Sequence, residues 1–469
     1  MTSRYESNND GRDAGSVPPA SIRAQVVTKR PLLAVVRLRE RFYGNFWLLP
    51  VVFLVGALVL AVITRAVDEA LPPTLAHAAP WIVSAKDAST VLSTLATAML
   101  TFLGVVFSIG LVALQLASQQ FSPRVLRTYV RSTTIKVALG TFIATFIYPL
   151  FSLGYLQELM RGGRTITTVA VAVAMLLALA SIAVFIAYVT LTIRGMRIAY
   201  AISTVAIETR AALRRMSPAD EHYVDVELPR LGTPAQIVTY RKGPSPFALH
   251  AAQGVLQAVD IGVCVQLARE RDCIVRLLPQ VGQYVASGEP LFEVFSAGDG
   301  TARPLSERAL LRTVDVGPER AVHQDAFYGI RALVDVAAQA LSPAVNAPTS
   351  AVQVLDRLQD FLRLMAARPW PSGIYADQTG RVRLLIPVRS WDQLVDLALT
   401  EITEFGAGSP QVTRRLADLL DTLLLIVPAE RKAVLVRHKG LLAEAVALRF
   451  GPSRALAEVA LQADPRGLG

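Results

Sequence analysis

Metal ligands, disulfide partners and catalytic signatures are all scarce in this sequence. Among 469 residues there are two cysteines and five histidines. Two cysteines exclude a disulfide-stapled scaffold, and Cys264 and Cys273 read as buried thiols in a reducing compartment. The histidines (His77, His222, His250, His323, His438) are scattered, and none has a second ligand at metal spacing. No Gly-Lys-Ser/Thr phosphate loop, dinucleotide fingerprint or nucleophile elbow occurs. The sequence therefore predicts no metal, no cofactor and no enzyme. The formal charge is +10, yet no basic-aromatic motif accompanies it, so nucleic acid is not an expected partner. The most telling absence is charge itself: none falls between Asp87 and Arg124.

What is there is apolar. Hydrophobic residues make up 52% of the chain and the mean hydropathy is +0.42, too high for an ordinary soluble protein. The excess precedes Gly195 and forms four segments, at about 46–63, 89–118, 135–153 and 167–193. Each approaches or exceeds the roughly 20 residues needed to cross a bilayer. The first lies behind a long polar leader, which makes it an anchor and not a secretory signal. Basic residues in the short flanks alternate as four spans with both termini in the cytoplasm require: Lys29, Arg30, Arg37, Arg39 and Arg41 precede the first span, Arg124, Arg127, Arg131 and Lys136 fill the second loop, and Arg194 and Arg197 follow the fourth. This topology accounts for most of the net charge, and a basic margin attracts anionic lipid headgroups.

The second span carries a polar stripe. Thr90, Thr94, Thr97, Thr101, Gly104, Ser108, Gln115 and Ser118 are spaced by threes, fours and one seven, which places all eight on one helical face. A hydroxyl in a bilayer needs a partner, expected to be another helix or water. Leu111 interrupts the stripe. Continuous helix from 88 to 119 would reach roughly 48 Å against a hydrocarbon core of about 30 Å, so it tilts or projects. Ser122-Pro123 then reads as the start of an amphipathic helix bearing Arg124, Arg127 and Arg131, either a gating lever or an interfacial anchor.

The predicted fold is an α-helical membrane protein with a cytoplasmic α+β region. Its divisions are a disordered basic tail (1–38), a four-helix membrane domain (39–195), a helical stalk and linker (196–235), a small β-rich module (236–303) and a mainly helical domain (304–469). In the β-rich module, Pro279 to Phe292 has the glycine-turn rhythm of a barrel-sandwich hybrid, without the lysine that a biotinyl or lipoyl carrier needs. Asp260 is expected to cap a short helix. In the helical domain, Arg331 and Asp335 are spaced to pair along one helix, and Asn346 and Thr349 mark a turn into the next. These four residues read either as a small-ligand or anion site or as helix capping.

Two motifs carry a resemblance. Leu92-Ser-Thr-Leu, Gly104-Val-Val-Phe-Ser-Ile and Leu111-Val-Ala-Leu-Gln-Leu-Ala-Ser-Gln-Gln-Phe-Ser-Pro-Arg124 form the first; Gln324-Asp325, Leu341-Ser-Pro and Asn346-Ala-Pro-Thr349 form the second. Together they resemble the bacterial predicted membrane protein family known as domain of unknown function 2254. Ala344 and Ala347 stand where that family tends to have Gly and Asp. The resemblance implies a multi-pass protein of a bacterial inner membrane and brings no activity or catalytic residues.

Two functions fit the stripe. In one, several subunits bring their striped helices around an axis. The hydroxyls line a path for small ions, Leu111 closes it by dewetting, and the basic cluster forms a cytoplasmic mouth. In the other, the stripe is packing within a homo-oligomer or a monomer, and the protein is a membrane-anchored sensor or scaffold with no transport activity.

Overall fold

The computed structural model describes residues 22–27, 47–70, 85–120, 133–161, 168–217, 223–229, 231–241, 253–297, 304–451, 458 and 460–462. Four helices are long and apolar enough to cross a membrane: α1 (Leu48–Ala70), α2 (Ala85–Gln120), α3 (Thr133–Arg161) and α4 (Thr168–Gly195). Each predicted span is found, and each helix outruns its apolar core. In α1 the extra turns are held by the i,i+4 pair Arg65–Glu69 at 3.2 Å.

α3 is the central helix of this bundle and packs on α1, α2 and α4. Half of its apolar window is buried, against 17–22% for the other three. Close approach is built in at Gly140, where an added Cβ would lie 2.8 Å from the Phe53 ring. Polar contacts join the helices inside. The Tyr148 hydroxyl donates to Thr64 Oγ1 at 3.0 Å and to the Ala170 carbonyl at 3.2 Å, and Thr145 and Ser181 hydroxyls meet at 2.7 Å. Asp68 on α1 accepts from the Val169 and Ala170 amides at 3.0 and 3.2 Å, so one helix caps the start of another.

The remaining described residues fall into a sheet unit and a helical body. The sheet unit is assembled from three stretches of chain: the N-terminal residues, 218–319 and 371–388. Its strands are β1 (Ile22–Val26), β2 (Tyr223–Val226), β3 (Gln236–Thr239), β4 (Gly254–Val259), β5 (Cys273–Leu277), β6 (Tyr284–Val285), β7 (Pro290–Ser296), β8 (Val314–Gly317), β9 (Ile374–Ala376) and β10 (Val382–Leu385). Seven form a mixed sheet in the order β2-β1-β9-β10-β5-β7-β3, and three form a second sheet in the order β6-β4-β8. Helices α6 (Ile261–Glu270) and α7 (Glu307–Leu311) complete the unit. Asp260 caps α6 as expected, its carboxylate accepting from the Val263 amide at 3.1 Å.

Three expectations need correction here. Residues 22–26 are not disordered tail: β1 pairs antiparallel with β2 and parallel with β9, and Ala24 is fully buried. The module is not limited to 236–303, since β1, β2, β9 and β10 belong to its large sheet. It is two open sheets and not one barrel: the glycine turns at Gly282 and Gly288, both with positive φ, redirect the chain between β5 and β7 without closing the strand order.

An ion network, buried at Arg383 and Asp377 and exposed at Asp272, ties the β9–β10 hairpin to the start of β5. Arg383 donates to Asp377 at 2.8 Å and to Asp272 at 2.7 Å. Burial works to raise the Asp377 pKa, but hydrogen bonds from Thr379, Arg383 and Arg381 outweigh it and hold the carboxyl down at about 2. Cys264 and Cys273 are buried free thiols; burial pushes them up to about 12 and about 11.

The helical body consists of α5 (Ile198–Met216), α8 (Ala326–Ala340), α9 (Pro348–Ala366), α10 (Trp391–Gly406), α11 (Pro410–Ile426) and α12 (Lys432–Phe450). Leucines at helical spacing, among them Leu333, Leu355, Leu358, Leu399, Leu420 and Leu435, are completely buried in one core. α5 is no stalk. Its Ile202, Val205, Ala206, Thr209, Ala212 and Leu213 are buried, and it packs on α8 and α9. The amphipathic pattern read as a stalk is the inner face of a core helix.

Candidate functional site

The stripe on α2 lies on the outside of the chain. Thr90, Thr94, Thr97, Thr101, Gly104, Ser108 and Gln115 are all exposed, while the side chain of Ser118 lies outside the described residues. The face packed against the other spans is a different one, made by Ala88, Leu92, Ala96, Met99, Val106 and Ala113. At about 100° per residue these two sets fall on opposite sides of the helix. Leu111 stands at the edge of the stripe with 59% of its surface exposed.

The hydroxyls are not left without acceptors. Thr90 donates to the Lys86 carbonyl at 3.0 Å, Thr94 to Thr90 at 2.7 Å, Thr97 to Ser93 at 2.9 Å and Thr101 to Thr97 at 3.2 Å. Each bond runs back one turn along the same helix. The expectation that every hydroxyl needs another helix or water is therefore corrected for these four: the backbone takes the proton, and the oxygens stay on the exposed face of the helix. Inside the bundle Thr64 and Thr145 also bond back to their own helix, but there the hydroxyls of Tyr148, Thr64, Thr145 and Ser181 bond between helices as well. The four stripe threonines thus bond only within their own helix, whereas Tyr148, Thr64, Thr145 and Ser181 also join one span to another. Arg124, Arg127 and Arg131, and the Ser122-Pro123 helix start, lie outside the described residues.

The second motif is divided between the two ends of α8. Asp325 caps α8, accepting from the Tyr328 amide at 3.1 Å and from Arg320 at 2.8 Å. Burial raises its pKa against the pull of Arg320. Asn346 and Thr349 sit beyond the other end of α8, which at 15 residues is about 22 Å long. Arg331 does not serve mainly to bridge along its own helix, because its guanidinium donates to Glu401 on α10. Asn346 is exposed with φ +45, a left-handed turn position that asparagine tolerates. The first turn of α9 is capped by no side chain, since Ala347 occupies the N-cap. Thr349 accepts a long 3.5 Å contact from Gln411. Among the described residues no cluster of His, Cys, Asp and Glu has a metal-holding arrangement.

A comparison with family models decides what kind of protein this is. The model for the predicted membrane protein family DUF2254 matches residues 43–422. The chain belongs to that family. It is also 32% identical over 353 residues to an uncharacterized protein of Mycobacterium bovis and, equally, to one of Mycobacterium tuberculosis; the match covers 74% of this chain and 66% of each relative. The chain thus spans slightly less than two thirds of the length of those curated relatives. No solved structure matches it. Membership of DUF2254, together with the four apolar helices, makes this an integral membrane protein, and the family range takes in both motifs that carried the resemblance.

Proposed function

We propose that this DUF2254 protein assembles in the bacterial inner membrane through the striped face of α2, and that the assembly is a pore for small ions gated by the region beyond the spans. The observation that carries this reading is the exposure of six polar side chains and Gly104 along one face of an apolar helix. A four-helix monomer that used them as packing would turn them inward, as it turns Tyr148 and Thr145. Several copies arranged about an axis would bring the outward oxygens together around water. Leu111 then forms the apolar ring of the path, and the basic residues Arg124, Arg127 and Arg131 provide a mouth that favours anions or a contact with anionic headgroups.

A second reading, the membrane-anchored sensor or scaffold, draws support from the same hydroxyls. Bonded to their own helix at 2.7 to 3.2 Å, they cost little against lipid or against a neighbouring helix. Flux through proteoliposomes separates the two. Leu111→Ser in the full chain is expected to raise anion leak severalfold over the parent protein. Vesicles that stay equally silent with both proteins favour the scaffold.

A further inference from the structure

Helix α12 is apolar on two opposite sides, and the fold covers one of them. Val434, Leu435, Leu442 and Val446 are buried in the core of the helical body. Ala433, Val436, Gly440, Leu441, Ala447 and Leu448 are exposed on the other side. The ordinary arrangement is seen in α9, which shows Asp356, Arg357 and Arg363 on its outer face. A helix apolar all round is ordinarily buried all round. Leu448 is 83% exposed, above every large apolar side chain described on the four spans, where Leu179 is highest at 66%. Outside the spans, among the described residues, no other element exposes as many large apolar side chains as α12 does with Val436, Leu441 and Leu448. A contiguous face of this kind marks an interaction surface.

The outer side of α12 is complementary to itself. Ala433, Gly440 and Ala447 repeat every seven residues, and beside them Arg437, Leu441, Glu444 and Leu448 follow at steps of four, three and four. Gly440 is a notch, with nothing within 4 Å of an added Cβ. A second α12, laid antiparallel about a two-fold axis between Gly440 and Leu441, meets three conditions in one register. Leu441 faces the partner's Gly440, Leu448 the partner's Ala433, and Arg437 the partner's Glu444, each pairing made twice by symmetry. Large side chains fall on small ones, as knobs fall into holes. Arg437 donates to Asp396 at 2.6 Å within its own chain, and its five N–H groups leave donors for a second carboxylate. A parallel copy would instead set Arg437 beside Arg437 and Glu444 beside Glu444.

We propose that the outer face of α12 binds a second copy of this chain in an antiparallel, two-fold contact. The apolar rows supply the attraction. The two Arg437–Glu444 pairs fix direction and register, since exposed ion pairs add little energy of their own. The contact lies outside the spans and uses no residue of the α2 stripe, so it stands or falls separately from the pore. Cross-linking in native membranes tests it. Gly440→Cys in the full chain sets two thiols beside the axis, and a short bis-maleimide is expected to convert more than half of the chain to a covalent dimer. Arg357→Cys, on the outer face of α9, is expected to give at least fivefold less. Added to Gly440→Cys, Glu444→Arg sets like charges against each other in both pairs and is expected to cut the dimer at least fivefold. Glu444 is exposed and makes no ion pair among the described residues, so that variant should melt at the parent temperature. Leu448→Ser, at a side chain that a lone copy leaves in water, is expected to cut the dimer by a similar factor. A bilayer covering the face would leave Gly440→Cys unlinked. No dimer from Gly440→Cys, an equal yield from Arg357→Cys, or a dimer unchanged by either Glu444→Arg or Leu448→Ser overturns the proposal.

Discussion

Single residues in this chain owe their roles to what surrounds them more than to their type. Asp377 is the clearest case. It is 2% exposed and accepts from Thr379, Arg381 and Arg383. Its carboxyl is held at about 2, below the ordinary 3.8. A depressed folded-state pKa stabilises the fold fully above the unfolded value and loses that contribution as pH falls from about 4 to about 2. A shift of this size corresponds to about 2 kcal/mol at neutral pH. Asp377→Asn is therefore expected to melt earlier than the parent protein at pH 7, with the gap narrowing as pH drops toward 2; a gap independent of pH would show that the carboxylate charge is not the cause. None of this is legible in the sequence. Asp377-Gln-Thr-Gly380 announces a turn, and Gly380 takes the positive φ that such a turn needs. The partners Asp272 and Arg383, however, are brought together by strand pairing between segments more than a hundred residues apart.

At the scale of elements, periodicity tells which residues share a face and not what the face meets. The leucines of α8 to α12 are predictable as one core because a helix apolar on one side must bury that side. The same logic, applied to α5, argues against a stalk: its buried positions repeat at three- and four-residue steps. Gly329 is the point of closest approach, where an added Cβ would sit 2.0 Å from Thr209 Oγ1. Gly329→Ala is expected to push α5 from α8 and lower the stability of the helical body by about 1–3 kcal/mol, the cost of overpacking a tight contact. Gly329→Ala combined with Thr209→Ala should recover part of that loss, because the clashing hydroxyl is gone; no recovery in thermal melts would place the strain elsewhere. β1 shows the opposite limit. Ile22-Arg-Ala-Gln-Val26 alternates apolar and polar residues, a strand signal too short to stand alone inside a polar leader, and it becomes a strand because β2 and β9 offer edges roughly 200 and 350 residues away in sequence.

For the whole molecule, four spans are legible in the apolar segments alone, and the family match over 43–422 agrees with them. The orientation of the stripe is not, since a hydroxyl row spaced by threes and fours fits an inward seam and an outward face equally well. The fold turns it outward and packs the alanine and leucine face inward, and on that division the proposed pore rests. Cysteine labelling in native membranes reads it directly. The native Cys264 and Cys273 are buried, and burial holds their thiols protonated, so single substitutions stand out against them. Thr94→Cys, Thr101→Cys and Ser108→Cys are compared with Leu179→Cys, an exposed apolar position on α4. If the stripe lines a water-filled path, a charged, membrane-impermeant thiol reagent modifies the three stripe cysteines and spares Leu179→Cys. If all four stay equally unlabelled, the stripe faces lipid or protein, and conduction along it is contradicted.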